Sequence, residues 1–152
     1  MTSLFVLIFL LASGGAQDAP SPPEAQPAPV HGLWATSEEG GRVRIGPCGD
    51  APEELCGELV DAAALRADPD LADANNPDPE QRSRPLRGVL VIDGFERSED
   101  GDWEPGVLYD PEEGRRITNG HVRLAGPDRL EVRGCVAFIC RTQVWTRIED
   151  EI

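Results

Sequence analysis

From residue 32 onward, apolar and polar positions alternate in short runs. In Arg42-Val43-Arg44-Ile45 the two arginines share one face and the two aliphatic residues the other, the period of a half-buried strand. Residues 129–135 repeat the pattern, with Leu130 and Val132 set against Glu131 and Arg133. Residues 87–95, RGVLVIDGF, are apolar on both faces from Val89 to Ile92, as in a strand covered on both sides. Residues 107–126 read as a hairpin, because Asp110-Pro111 opens a turn that Gly114 closes. The first short strand, 32–36, carries Trp34; the last, 141–148, sets Val144 and Ile148 against Trp145 and Arg147. Helix signals are poor. Residues 52–66 offer at most one turn after Pro52, which Gly57 interrupts, and 98–106 reads as a loop from its acids, Gly and Pro. Short strands at regular spacing predict an all-β antiparallel sandwich or barrel with little helix.

Two stretches stand outside this rhythm. Residues 68–85 lack periodicity and hold four prolines, and so long a loop in a compact domain is usually functional or disordered, so a flap across one end is expected. The chain also begins with an apolar run from Leu4 to Ala12 followed by small residues to Ala16. That run is too short to span a bilayer but suits a signal peptide, residues 1–16, so no membrane span is expected after processing. Proline-rich residues 17–30 then read as an extended spacer, 31–148 as the folded domain, and 149–152 as an acidic tail.

Cysteine and charge refine the picture. Cys48, Cys56, Cys135 and Cys140 follow an export signal and lack Cys-x-x-Cys spacing, so they predict two disulfides in a periplasmic or secreted protein and no metal site. Of three pairings, the local ones, Cys48–Cys56 and Cys135–Cys140, are favoured over pairs spanning the domain. The net charge is −14 with no Lys at all, a balance that repels nucleic acid and anionic lipid heads. The charge is segregated: 50–80 holds ten carboxylates against Arg66, whereas 114–148 holds seven arginines against Asp128 and Glu131.

Catalytic signatures are thin. His121 would need Ser83 or Ser98 nearby to build a nucleophilic triad, and neither serine sits in a nucleophile-elbow sequence. No glycine-rich phosphate loop occurs, so no cofactor is expected. Asp68, Asp70, Asp73, Asn75 and Asp78 are hard oxygen donors, but they lack the order of a calcium loop and serve equally as turn formers. Arg82 and Arg84 are expected mainly to clamp the loop's acids or Asp110. Asn75, Asn76 and Arg84 are the candidate ligand-binding residues near a mouth.

GLWAT (32–36), CGD…LCGELV (48–60), NNPDPEQRSRPLRG (75–88), DWEPGVLYDPEEG (102–114) and LEVRGCVAFICRTQVWTRI (130–148) occur in this order. Together they resemble a secreted bacterial family, domain of unknown function 2147, which is similar to the calycins, the up-and-down barrels that include lipocalins. The chain departs from the usual pattern by extra residues between Cys48 and Cys56 and by Arg115-Arg116-Ile117 after the turn. The resemblance implies a lipocalin-like barrel in which Gly32 and Trp34 of the first strand pack against an arginine of the last. Arg147 is the better candidate for that arginine and Arg141 the alternative. Since a barrel of about eight strands can hold one small molecule, the chain reads as a non-enzymatic exported carrier of a small, mostly apolar ligand held inside the barrel or at its mouth. The other reading is an envelope interaction module with a filled barrel, whose acidic loops bind a basic protein partner.

Overall fold

Eight antiparallel strands follow one another in chain order round a closed barrel in the computed structural model, which describes residues 29–37 and 40–149. The expected signal peptide, most of the spacer and residues 150–152 of the acidic tail lie outside the described residues. The strands are β1 (Gly32–Ala35), β2 (Arg42–Pro47), β3 (Leu55–Asp61), β4 (Leu90–Phe95), β5 (Trp103–Asp110), β6 (Arg115–Gly126), β7 (Arg129–Val136) and β8 (Ile139–Ile148). Barrel rather than sandwich is decided by one pairing. β1 meets β8 antiparallel, with Leu33 opposite Ile148, Trp34 opposite Arg147 and Ala35 opposite Thr146, so no sheet edge stays open. Among the described residues, no helix is long and apolar enough to cross a membrane.

Local expectation and structure part in three places. Residues 55–61 form β3 rather than a helical turn. Leu55, Gly57 and Leu59 alternate into the core, and a Cβ at Gly57 would lie 3.0 to 3.4 Å from Val43, Ile92 and Ile45. The glycine that breaks a helix here lets three neighbouring strands close up. Among the described residues the one α-helix, α1 (Ala63–Ala67), follows the strand and buries Leu65. Residues 103–106 belong to β5 instead of a loop, because Trp103 is buried beneath the guanidinium of Arg97, 5.0 Å from its ring centroid. Finally, the folded unit starts before residue 31: Val30 is buried in the core, and its carbonyl accepts a bond of 3.0 Å from the Trp34 indole.

The barrel interior is solid. Trp34, Leu55, Ile92, Phe95, Val122 and Leu130 are almost wholly buried, and Trp145 nearly so. The ring of Phe95 packs over two glycines that face each other across neighbouring strands, Gly106 of β5 and Gly120 of β6. A Cβ on Gly106 would stand 2.0 Å from that ring and one on Gly120 2.6 Å from it, so both positions must lack a side chain. The aromatic fills the interior at this level of the barrel with protein side chain.

Candidate functional site

Up-and-down order sorts the connections into two ends. The β2–β3, β4–β5 and β6–β7 turns lie at one end with both termini; the β1–β2, β3–β4, β5–β6 and β7–β8 connections lie at the other.

The first end is a sealed base. The Arg147 guanidinium sits 4.3 Å from the centroid of the Trp34 ring, an interaction of about 0.5–2 kcal/mol. It donates to three main-chain carbonyls: Nε to Pro127 at 2.8 Å, Nη1 to His31 at 2.8 Å, and Nη2 to Pro29. Gly32 has a φ of +134°, and a Cβ there would lie 2.7 Å from Arg147 Nη1. Only glycine admits both the backbone angle and the guanidinium. Arg147 therefore ties together the N-terminus, β1 and the β6–β7 turn. Arg141, the alternative partner, is six residues away along β8, near the opposite end, and is exposed.

The second end is a mouth, and the long β3–β4 connection folds over part of it. Its hub is a buried carboxylate. Asp73 Oδ1 accepts from the hydroxyl of Tyr109, in β5, at 2.6 Å; Oδ2 accepts from Asn76 Nδ2 at 2.7 Å and pairs with Arg84 Nη2 at 2.8 Å. Arg84 and Arg116 each lie within 6 Å of the Tyr109 ring centroid, at 5.9 and 5.6 Å. Burial raises the Asp73 carboxyl, but the hydrogen bonds from Asn76, Tyr109 and Arg84 outweigh it and hold the group below its ordinary value. Burial, then the bond to Asp73, pushes the Tyr109 hydroxyl up to about 12. A 3₁₀ turn, Pro79–Gln81, capped by Asp78, completes the flap. Asn75 Nδ2 reaches the Glu112 carbonyl in the β5–β6 turn at 2.8 Å, and Arg82 Nε holds the Asn76 carbonyl at 2.8 Å.

Asn75, Asn76 and Arg84 thus lie together in the flap, engaged in bonds that hold it. Arg84 clamps Asp73, whereas Asp110 caps its own turn through Glu112 N at 3.0 Å. Three acids of the 68–78 stretch are engaged separately: Asp73 with Tyr109, Asp68 with Asp70 N, and Asp78 with Glu80 N. Tyr109 carries no motif, and only its position as the sole tyrosine in an acidic turn hinted at its role. Beside the flap opens a recess of about 340 Å³, with Arg84, Arg87 and Arg116 along one rim and Val89, Leu90 and Asp93 as further walls. Arg87 and Arg116 are 29 positions apart and share no sequence signature; strand order alone brings them together.

A second, larger depression of about 560 Å³ lies on the outer face of β6–β8. Most of its charge is already matched. His121 Nε2 is 3.0 Å from Asp102, Arg123 Nη2 donates to Glu131 at 2.6 Å, and that bond holds the Glu131 carboxyl below its ordinary value. Ser98 Oγ bonds the Asp102 carbonyl at 3.2 Å, so the serine and histidine attach to different parts of the same residue. The structure pairs Cys48 with Cys56 and Cys135 with Cys140. Among the described residues, the group nearest to a metal-ligand set is Cys48, Cys56 and Asp93, and its two sulfurs are consumed by the disulfide.

A closed eight-stranded barrel with a sealed base and a flapped mouth is a lipocalin-like fold. Residues 32–147 match the family described as "Uncharacterized protein conserved in bacteria (DUF2147)", and the chain belongs to that family, the one its motifs resemble. Its fold is similar to a solved Helicobacter pylori structure described as "Protein HP1028 from the human pathogen Helicobacter pylori belongs to the lipocalin family". That likeness has a TM-score of 0.67 at 17% identity and covers 79% of this chain and 83% of the other. No curated protein matches the chain.

Proposed function

We propose that this chain is an exported, non-enzymatic binding protein that takes a small amphiphilic anion at the mouth of its barrel rather than inside it. The observation that carries this reading is the ring of Phe95 packed over the paired glycines Gly106 and Gly120, which leaves the rim as the place for a ligand. The recess beside the flap has a volume in the usual range for small-molecule sites, roughly 300–1,000 Å³. Three arginines suit a carboxylate or phosphate head, and Val89 with half-exposed Leu90 suits an apolar remainder. Arg84 is spent on the buried Asp73, so a ligand head would fall mainly to Arg116 and to the guanidinium nitrogens of Arg87 other than Nη1, which donates to the Val60 carbonyl. Asn75 and Asn76 keep the flap in place. Two disulfides in a bacterial family fit an oxidising compartment and hence export.

Native mass spectrometry of the exported protein tests the reading. The expected result is a small acidic molecule that co-purifies with the wild type and is lost from the Arg87→Ala/Arg116→Ala variant. Retention by that variant, or loss on Phe95→Ala alone, would sink it. The solid interior equally favours a second reading, an interaction module whose acidic loops bind a basic protein. That reading predicts a salt-sensitive protein partner indifferent to the arginine pair.

A further inference from the structure

The β7–β8 hairpin ends in Cys135-Val136-Ala137-Phe138-Ile139-Cys140, and its tip is apolar where a turn is ordinarily polar. Phe138 is 100% exposed, Ile139 72% and Val136 53%. No other aromatic of the described residues is exposed to a comparable degree. The tip is built rather than frayed. Cys135 and Cys140 face each other in the ladder and are joined by a disulfide, so the four residues between them form a loop tied at its neck. Behind the tip stand Arg133 and Arg141, both exposed, and among the described residues neither forms an ion pair.

We propose that this hairpin tip inserts into a phospholipid surface, with Phe138 and Ile139 entering the acyl boundary and Arg133 and Arg141 meeting the lipid phosphates. The spacing supports the assignment. At about 3.3 Å per strand residue, Arg133 stands roughly 10 Å behind Val136, and Arg141 roughly 7 Å behind Ile139. Interfacial segments seat their apolar faces about 5–10 Å deep, which puts both guanidiniums at headgroup level when the tip is buried. The size of the patch points the same way. A tip of four residues falls far short of the roughly 800 Å² per partner that a standard protein interface covers, whereas a lipid surface accepts a few apolar side chains at any point. The net charge of −14 opposes approach to anionic lipid. Arg133 and Arg141 offset this locally at the neck of the tip, whereas Arg115, Arg123, Arg129 and Arg147 are engaged elsewhere. Contact is therefore oriented, hairpin tip first.

Co-sedimentation of the exported, processed protein with vesicles tests the proposal, using 3:1 phosphatidylethanolamine:phosphatidylglycerol and pure phosphatidylcholine. The wild type is expected to partition onto both, more strongly onto the anionic mixture. Phe138→Ser should lower partitioning about tenfold or more, the effect of withdrawing one buried aromatic. It should leave the thermal midpoint unchanged, since Phe138 touches no core. Arg133→Gln/Arg141→Gln should remove the preference for the anionic mixture and keep the residual binding to phosphatidylcholine. In Phe138→Trp, the added indole should shift its emission to the blue on mixing with vesicles. Partitioning equal in wild type and Phe138→Ser, or an unshifted Phe138→Trp spectrum, would overturn the proposal. So would a Phe138-dependent protein partner captured by a chain that ignores both vesicle types.

Discussion

The two ends of this barrel each use an arginine, but against different partners, and the contrast separates a fixed structure from a responsive one. At the base, Arg147 stacks on Trp34 and donates to the carbonyls of Pro29, His31 and Pro127. Carbonyls do not titrate, so these bonds carry no pH dependence of their own, although Asp128 stands 3.7 Å from Arg147 Nε and burial holds the His31 imidazole below its ordinary value. At the mouth, Arg84 faces the buried carboxylate of Asp73, which also accepts from Tyr109. Both of those groups titrate, and each favours an ionised Asp73 beside a neutral Tyr109. The barrel is therefore built to hold at one end and to yield at the other.

The largest expected effect tests the base. Trp34→Ala removes a wholly buried indole and should cost about 3–5 kcal/mol of global stability, read by urea denaturation. A loss of less than about 1 kcal/mol would mean that the strands close without this seal.

A smaller effect belongs to the mouth. Asp73→Asn leaves Arg84 without its counter-charge and disturbs the Tyr109 bond, at a cost of about 1–3 kcal/mol. The cost should appear as faster hydrogen exchange confined to residues 62–89 and Tyr109, while β1 and β8 stay protected. Uniform loss of protection would merge the two ends into one cooperative unit.

The smallest effect comes from pH. Because the folded state depresses the Asp73 carboxyl, its contribution is present above the ordinary carboxylate range and is lost as pH falls through the depressed value. Because the folded state raises Tyr109 from 10 to about 12, its contribution is present below pH 10 and fades between 10 and 12 as the unfolded chain gives up its proton first. Limited proteolysis should therefore nick the flap at both extremes of pH before it touches the base, and Tyr109→Phe should abolish the alkaline limb.

What could be read along the chain followed from local periodicity and covalent chemistry. Alternation at 42–45 and 129–135, the turn at Asp110-Pro111, and the pairing of neighbouring cysteines all act over a few residues, so they were visible without the fold. Two strands escaped the same treatment. β3 hid behind Gly57, and β5 began inside an acidic stretch with Pro105, because what makes each a strand is burial against neighbours. The hairpin tip was also legible, as four apolar residues between two cysteines, yet an exposed Phe138 cannot be told from a buried one by alternation alone.

The candidate site was less legible. Asn75, Asn76 and Arg84 were found as polar residues of a long loop, but the loop's hub, Tyr109 on Asp73, joins positions 36 apart. The sequence by itself pointed to an all-β chain and to local cysteine pairs, since those depend on residue type and order, and its resemblance to a known family supplied the aromatic–arginine match of the first and last strands. Tertiary structure alone decided how Phe95 is buried, because the space for its ring exists only once Gly106 and Gly120 are paired beneath it. It also decided which arginines share a recess, for that depends on where the β3–β4 connection lies beside β6, two strands along the sheet.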